Sequence, residues 1–166
     1  TNDTPTISGD VAGGVTEDGT LTATGDLDVN DLDVTDQAGA SFTAQTNALG
    51  SYGDFSINTD GGWDYDLDNT NTTVQGLAAG ETLTETFTVT ATSGPDTVTE
   101  TVTITITGTN DTPNISGDVT GGVTEDGTLT ATGDLDVNDL DVTDQAGASF
   151  TAQTNALGSY GDFSIN

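Results

Sequence analysis

Residues 1–58 of this chain recur at 109–166 with two changes, Thr6 becoming Asn114 and Ala12 becoming Thr120. The repeat length of 108 residues constrains the fold more than any other feature. It is too long for one turn of a solenoid and matches one β-sandwich domain of about 100 residues. The chain then holds a complete unit at 1–108 and the first half of a near-identical second at 109–166. Near-identity points to units that do one job in series, because an enzyme needs a single active copy and lets a second drift. The start at Thr1 and the stop inside the repeat read as a slice of a longer polypeptide, with any export signal elsewhere.

Within one unit, alternating apolar and polar residues predict strands at about 11–16, 19–29, 40–46, 52–58, 62–68, 82–92 and 96–107. About seven strands with turn chemistry between them make an all-β, Greek-key sandwich. Trp63, Tyr65 and Leu67 alternate with Asp64 and Asp66, which places the aromatic residues inside. Thr fills nearly every outward position of the last two strands, as suits a β-branched residue on a wetted pleated surface. Asn58 to Gly62 and Ser93 to Asp96 carry turn chemistry. Val74, Leu77 and Ala78 fit a single helical turn between sheets. Glu85 and Glu100 interrupt the inward apolar series of their strands, for which strand-end exposure or a bulge is the ordinary explanation.

No Lys, Arg or His occurs, whereas 28 residues are Asp or Glu, for a formal net charge of -28. With no side-chain cation, folding leans on burial, screening and bound cations, and divalent cations are the economical solution. Nucleic acid is disfavoured as a partner, as are anionic membrane surfaces, since nothing here can neutralise phosphate. Catalysis has poor material: without His, Lys, Cys or Arg there is no ordinary base for a hydroxyl nucleophile and no fixed cation for an oxyanion. The chain therefore reads as a non-enzyme. The absence of Cys removes disulfides and thiolate metal sites. No apolar run reaches membrane-spanning length, so membrane insertion is not expected.

The densest acidic stretch is Asp26 to Asp36, repeated at Asp134 to Asp144. Along a strand, Leu27 and Val29 point inward while Asp26 and Asp28 face water. Asp31, Asp33 and Asp36 lie past that strand, and loop carboxylates two residues apart can converge on calcium, which takes six to eight oxygens.

Several motifs resemble the VCBS-type repeat of giant bacterial surface and secreted proteins, an Ig-like, cadherin-like domain. They are Thr109-Asn-Asp-Thr-Pro113, Val123-Thr-Glu-Asp-Gly-Thr-Leu129, Asn138-Asp-Leu-Asp141, Tyr52-Gly-Asp-Phe-Ser-Ile57, Gly62-Trp-Asp-Tyr-Asp-Leu-Asp-Asn-Thr70, Leu77-Ala-Ala-Gly-Glu-Thr-Leu83 and Phe87-Thr-Val-Thr90. The resemblance implies calcium where consecutive domains meet. It assigns as ligands Asp68 from the first unit, Asn110 and Asp111 from the linker, and Glu125, Asp139 and Asp141 from the second. The equivalents at the amino-terminal end are Asn2, Asp3, Glu17, Asp31 and Asp33. Thr70 and Ser93 stand where the family has acids, and Gly108 and Thr112 where its linker offers further ligands, which implies fewer or weaker ions, with Asp96, Asp126 and Asp144 available to compensate.

The expected function is a structural tandem-repeat spacer of a secreted or surface-anchored bacterial adhesin, stiffened by Ca2+ and partnered by adjacent copies of the same repeat. The alternative is a self-assembling matrix filament in which strands of another chain complete the half-repeat. Either places the protein outside the cell.

Overall fold

The computed structural model describes residues 2–166, and the chain parts between Thr109 and Asn110 into two units. Unit 1 is an all-β sandwich. Its elements are β1 (Thr6–Gly9), β2 (Ala12–Thr16), β3 (Thr22–Asn30), the single-turn α1 (Val34–Gln37), β4 (Ser41–Phe42), β5 (Gln45–Leu49), β6 (Gly53–Ile57), β7 (Gly62–Leu67), β8 (Thr82–Ser93) and β9 (Asp96–Thr107). One sheet runs β1-β3-β7-β6-β5 and the other β2-β9-β8-β4. All pairings are antiparallel except that of β2 with β9, which runs parallel from Ala12 opposite Thr103 to Thr16 opposite Thr107.

The binary pattern of the strands dictates the core. On β8, Phe87, Val89 and Ala91 are buried while the intervening Thr residues face outward, and β9 buries Val102, Ile104 and Ile106. Phe55 stacks on Phe87 with ring centroids 4.7 Å apart and on Trp63 at 5.9 Å, joining the two sheets. Offset contacts of this kind add about 1 kcal/mol beyond burial. Gly25 and Gly13 make room for the indole: a Cβ on Gly25 would stand 2.5 Å from Trp63 Cζ2. The Trp63 indole N–H donates to Asp10 O at 2.9 Å, so its one polar atom is satisfied.

Two local expectations change, and the helical turn near Val74 takes an irregular form. The stretch 40–46 is two strands, because the chain switches sheets at Thr43 and Ala44: β4 pairs with β8, and β5 pairs with β6. Apolar alternation runs on through this crossing, so periodicity alone does not reveal it. The connection around Val74 is a series of hydrogen-bonded turns, with Gln75 N–H on Asn71 O at 3.0 Å and Leu77 N–H on Val74 O at 3.1 Å, both apolar side chains entering the core. Glu85 is neither at a strand end nor on a bulge. Its register opposite Ile104 is unbroken and it is buried, its carboxylate accepting from Tyr65 Oη and from the amides of Ser51 and Tyr52. Glu100 is exposed.

Unit 2 contains β10 (Asn114–Gly117), β11 (Leu135–Asn138), α2 (Val142–Gln145), β12 (Gln153–Leu157) and β13 (Asp162–Ile165). They form two separate antiparallel pairs, β10 with β11 and β12 with β13, in the registers of β1 with β3 and β5 with β6.

Candidate metal centre

At the end of β3 the chain turns through Asp31, Leu32 and Asp33 into α1. Asp31 N–H donates to Gln37 Oε1 at 2.5 Å, and Gln37 Nε2 returns to Val29 O at 3.0 Å, so one glutamine holds the loop against the strand. Asp33 N–H donates to Asp31 Oδ1 at 2.9 Å, and Asp3 N–H donates to Asp33 Oδ2 at 2.7 Å. Asp3, Asp31 and Asp33 are thus brought together by the backbone. The other oxygen of Asp31, Oδ2, is buried without a hydrogen-bond donor.

The same arrangement recurs in unit 2. Asp111 N–H donates to Asp141 Oδ2 at 2.8 Å, Asp141 N–H to Asp139 Oδ1 at 3.1 Å, and Asp139 N–H to Gln145 Oε1 at 2.5 Å. Asp141 is 0% exposed, and its Oδ1 lacks a donor. A buried carboxylate oxygen without a donor is costly, and the sequence offers no side-chain cation to relieve it.

Around the unit 1 cluster, Asn2 Nδ2 donates to Asp96 Oδ2 at 2.5 Å. The Asp36 carboxyl lies against Gly94, where any Cβ would collide with it and where φ is +53°. Ser93 is fully buried, and its Oγ has no hydrogen-bond partner. Ser93 and Asp36 therefore belong to this end of the sandwich. Asp36 stands in the acidic stretch after β3, and no local sequence pattern places it beside the Ser93 turn, which comes from a distant strand pair.

The other proposed residues stand elsewhere. Glu17 is at the opposite end of unit 1 from Asp31 and Asp33, because the nine residues of β3 lie between them, about 26 Å over eight steps of roughly 3.3 Å. There the buried Glu17 accepts from Thr109 N–H at 2.8 Å, and its own amide donates to Thr107 O at 3.1 Å. Asp18, at φ +52°, exchanges hydrogen bonds with Asn69: its amide donates to Asn69 Oδ1 at 3.0 Å, and Asn69 Nδ2 donates to Asp18 Oδ1 at 2.7 Å. Asp68 Oδ1 accepts from Thr70 Oγ1 at 2.6 Å and from Thr70 N–H at 2.9 Å. The Thr70 hydroxyl and then its amide hold the Asp68 carboxyl below the usual range. The grouping that set Glu17 with Asp31 and Asp33 is therefore corrected. Glu125, its counterpart, is exposed on a turn closed by Thr124 N–H to Thr128 O at 2.8 Å. Asn110 Nδ2 donates to Asp111 O at 2.6 Å.

Among the described residues, no three acidic side chains converge closely enough to grip an ion as they stand. The donors present are all oxygen, and two of their carboxylate atoms are buried without donors. That is the chemistry of a hard cation such as Ca2+, and not of a metal that seeks thiolate or imidazole.

The family model of the bacterial cadherin-like domain matches residues 2–108. The chain belongs to this bacterial cadherin-like family. The match spans the whole of the first repeat and agrees with the sandwich seen in unit 1. Residues 109–166 lie beyond the match and repeat 1–58 with two changes. A search of curated proteins returns no match. No helix of the cadherin-like chain, among the described residues, is long and apolar enough to cross a membrane.

Proposed function

We propose that this chain is a structural spacer from an extracellular bacterial adhesin, a string of cadherin-like repeats stiffened by calcium. The observation that carries the reading is the duplicated cluster. Asp3, Asp31 and Asp33 in unit 1 and Asp111, Asp139 and Asp141 in unit 2 adopt one hydrogen-bonding scheme, each with a buried carboxylate oxygen that lacks a donor. Calcium supplies the missing positive charge, lowers the self-repulsion of a chain at -28, and orders the ends of each repeat. In this reading the ion ties the end of one repeat to the start of the next, with Asp68, Asn110 and Glu17 adding oxygens. The partners are further copies of the same repeat; no nucleic acid, membrane insertion or catalysis is involved.

Affinities on the order of 10⁻⁴ to 10⁻³ M suffice outside a cell. Isothermal titration of the full chain with CaCl2, together with small-angle scattering in calcium and in chelator, tests the proposal. Saturable binding with a narrower distribution of shapes in calcium is expected. Absence of saturable binding, with identical scattering in the two buffers, would sink it.

A further inference from the structure

The outer faces of the two sheets of unit 1 differ in charge. On the five-stranded sheet, Asp54 stands opposite Asp66, Asp64 points outward beside them, and Asp26 and Asp28 follow along β3. On the four-stranded sheet, among the described residues, no charged residue occupies an outward position. There β8 and β9 set threonine against threonine in six successive pairs, from Thr82 opposite Thr107 to Thr92 opposite Thr97. Ala12, Gly14 and Thr16 of β2 and Ser41 of β4 continue the same rows. Acids stand at the limits of the array, Glu81 just before Thr82 and Asp96 just before Thr97. Thr86, Thr88, Thr99 and Thr101 at its middle are exposed.

In a chain with 28 acids and no basic residue, such a face is where a second copy approaches without apposing like charges. A threonine face is also complementary to itself. Each hydroxyl both donates and accepts, so the hydroxyls of two facing arrays satisfy one another while the methyl groups beside them leave water. Strands of 12 residues extend about 37 Å, and two of them about 4.8 Å apart, widened at the ends by β2 and β4, offer roughly 500 Å² per copy. A standard interface buries about 800 Å² per partner, so the area fits a weak pair and not an obligate one.

We propose that the threonine face of β8 and β9 is the surface through which a second copy of this domain packs, sheet on sheet, in a weak isologous pair. Two such sheets stack about 10 Å apart with their strands aligned to within about 30°. Two-fold symmetry sets the middle of the array, around Thr88 and Thr101, against its own copy. Where repeats are strung in series, as the spacer reading has it, the contact recurs once per complete repeat and avidity bundles neighbouring strings. The pair itself rests neither on that reading nor on calcium.

The probe is the unmodified 166-residue chain, 13C-labelled at its threonine methyls and followed by NMR and sedimentation equilibrium in calcium buffer, from about 10 µM to about 1 mM. Concentration-dependent methyl shifts centred on 82–92 and 97–107 are expected, with the average mass rising toward a dimer near about 1 mM. Raising NaCl from about 0.1 M to about 1 M tightens the pair, because the charge it screens is purely repulsive. Thr88→Asp weakens association about tenfold or more by setting like charges at the centre of the contact. Asn47→Asp adds the same charge on β5 of the other sheet, at a positive φ that Asp tolerates, and leaves association within about twofold of the unmodified chain. Should Thr88→Asp not fold, the methyl shifts of the unmodified chain decide alone. A chain still monomeric at about 1 mM overturns the proposal. So do shifts centred on Thr22 and Thr24 of the other sheet, dissociation by salt, or association of folded Thr88→Asp equal to that of the unmodified chain.

Discussion

Tyr65 donates its hydroxyl to Glu85 Oε2 at 3.0 Å inside the sandwich, joining β7 of one sheet to β8 of the other. The second Glu85 oxygen accepts from the amides of Ser51 and Tyr52, so one buried acid also pins the loop between β5 and β6. Glu85→Ala strands three donors. An unsatisfied buried group costs about 1–3 kcal/mol, so a loss of about 3 kcal/mol is expected in urea unfolding, and the same loss in calcium and in chelator. Tyr65→Phe is expected to cost about 1 kcal/mol. An unchanged midpoint for Glu85→Ala contradicts this account.

The same pair sets an alkaline limit. Burial, then the hydrogen bond and charge of Glu85, then the charge of Asp54, push the Tyr65 hydroxyl above its ordinary value of 10.0. A group whose folded pKa is raised contributes stability that is complete below the unfolded value and is lost as pH rises above it. Stability of unit 1 is therefore expected to be flat with respect to Tyr65 up to about pH 10 and to fall beyond it. Unfolding measured from pH 8 to 12 reads this, and the slope that belongs to Tyr65 vanishes in Tyr65→Phe.

Acid acts at Asp68 with the opposite sign. Its folded pKa lies below 3.8, so its contribution is present above that value and is lost as pH falls through the folded pKa. Thr70→Ala removes the hydroxyl that dominates the shift. Carboxyl NMR titration is expected to show Asp68 returning toward 3.8, retaining the part due to the Thr70 amide.

Gly25→Ala tests the packing of the indole. The new Cβ would stand 2.5 Å from Trp63 Cζ2 with Gly13 already close on another side, so the ring has to move. Overpacking of this kind costs about 1–3 kcal/mol. Trp63 emission, from the sole tryptophan of the chain, is expected to shift to the red.

If the acidic clusters bind calcium as proposed, substitutions there are expected to separate from substitutions in the core. The pair Asp31→Asn and Asp33→Asn is expected to reduce the calcium-induced rise in unit 1 melting while leaving melting in chelator equal or higher, because repulsion falls. Calcium at 100 times its Kd contributes about 2.7 kcal/mol by mass action, which sets the scale of the lost rise. The pair Asp139→Asn and Asp141→Asn is expected to lower binding without moving unit 1 melting in chelator.

Most of unit 1 was legible because burial follows a period of two. Trp63, Tyr65, Leu67, Phe87 and Val89 fall inside and their Thr and Asp neighbours outside. What the pattern could not express is where a strand leaves one sheet for the other, as at Thr43, and how a buried acid is satisfied. Glu85 looks like an interruption until Tyr65 and the loop amides are seen around it. Spacing likewise placed Asp31 and Asp33 in one loop, but the motif resemblance set Glu17 with them although the length of β3 holds it away. The arrival of Ser93 and Asp96 beside that loop is a matter of topology that no local sequence window contains.

The parallel pairing of β2 with β9 has a mechanical consequence. The chain comes into unit 1 at Asp3 and leaves it past Thr107, at the other end of the sandwich, and β2 and β9 point the same way. Tension that draws these ends apart slides the two strands along one another. The rungs from Ala12 to Thr16 are then strained all at once, in shear, rather than unzipped one by one. A domain wired in this way resists force far better than its modest size would indicate.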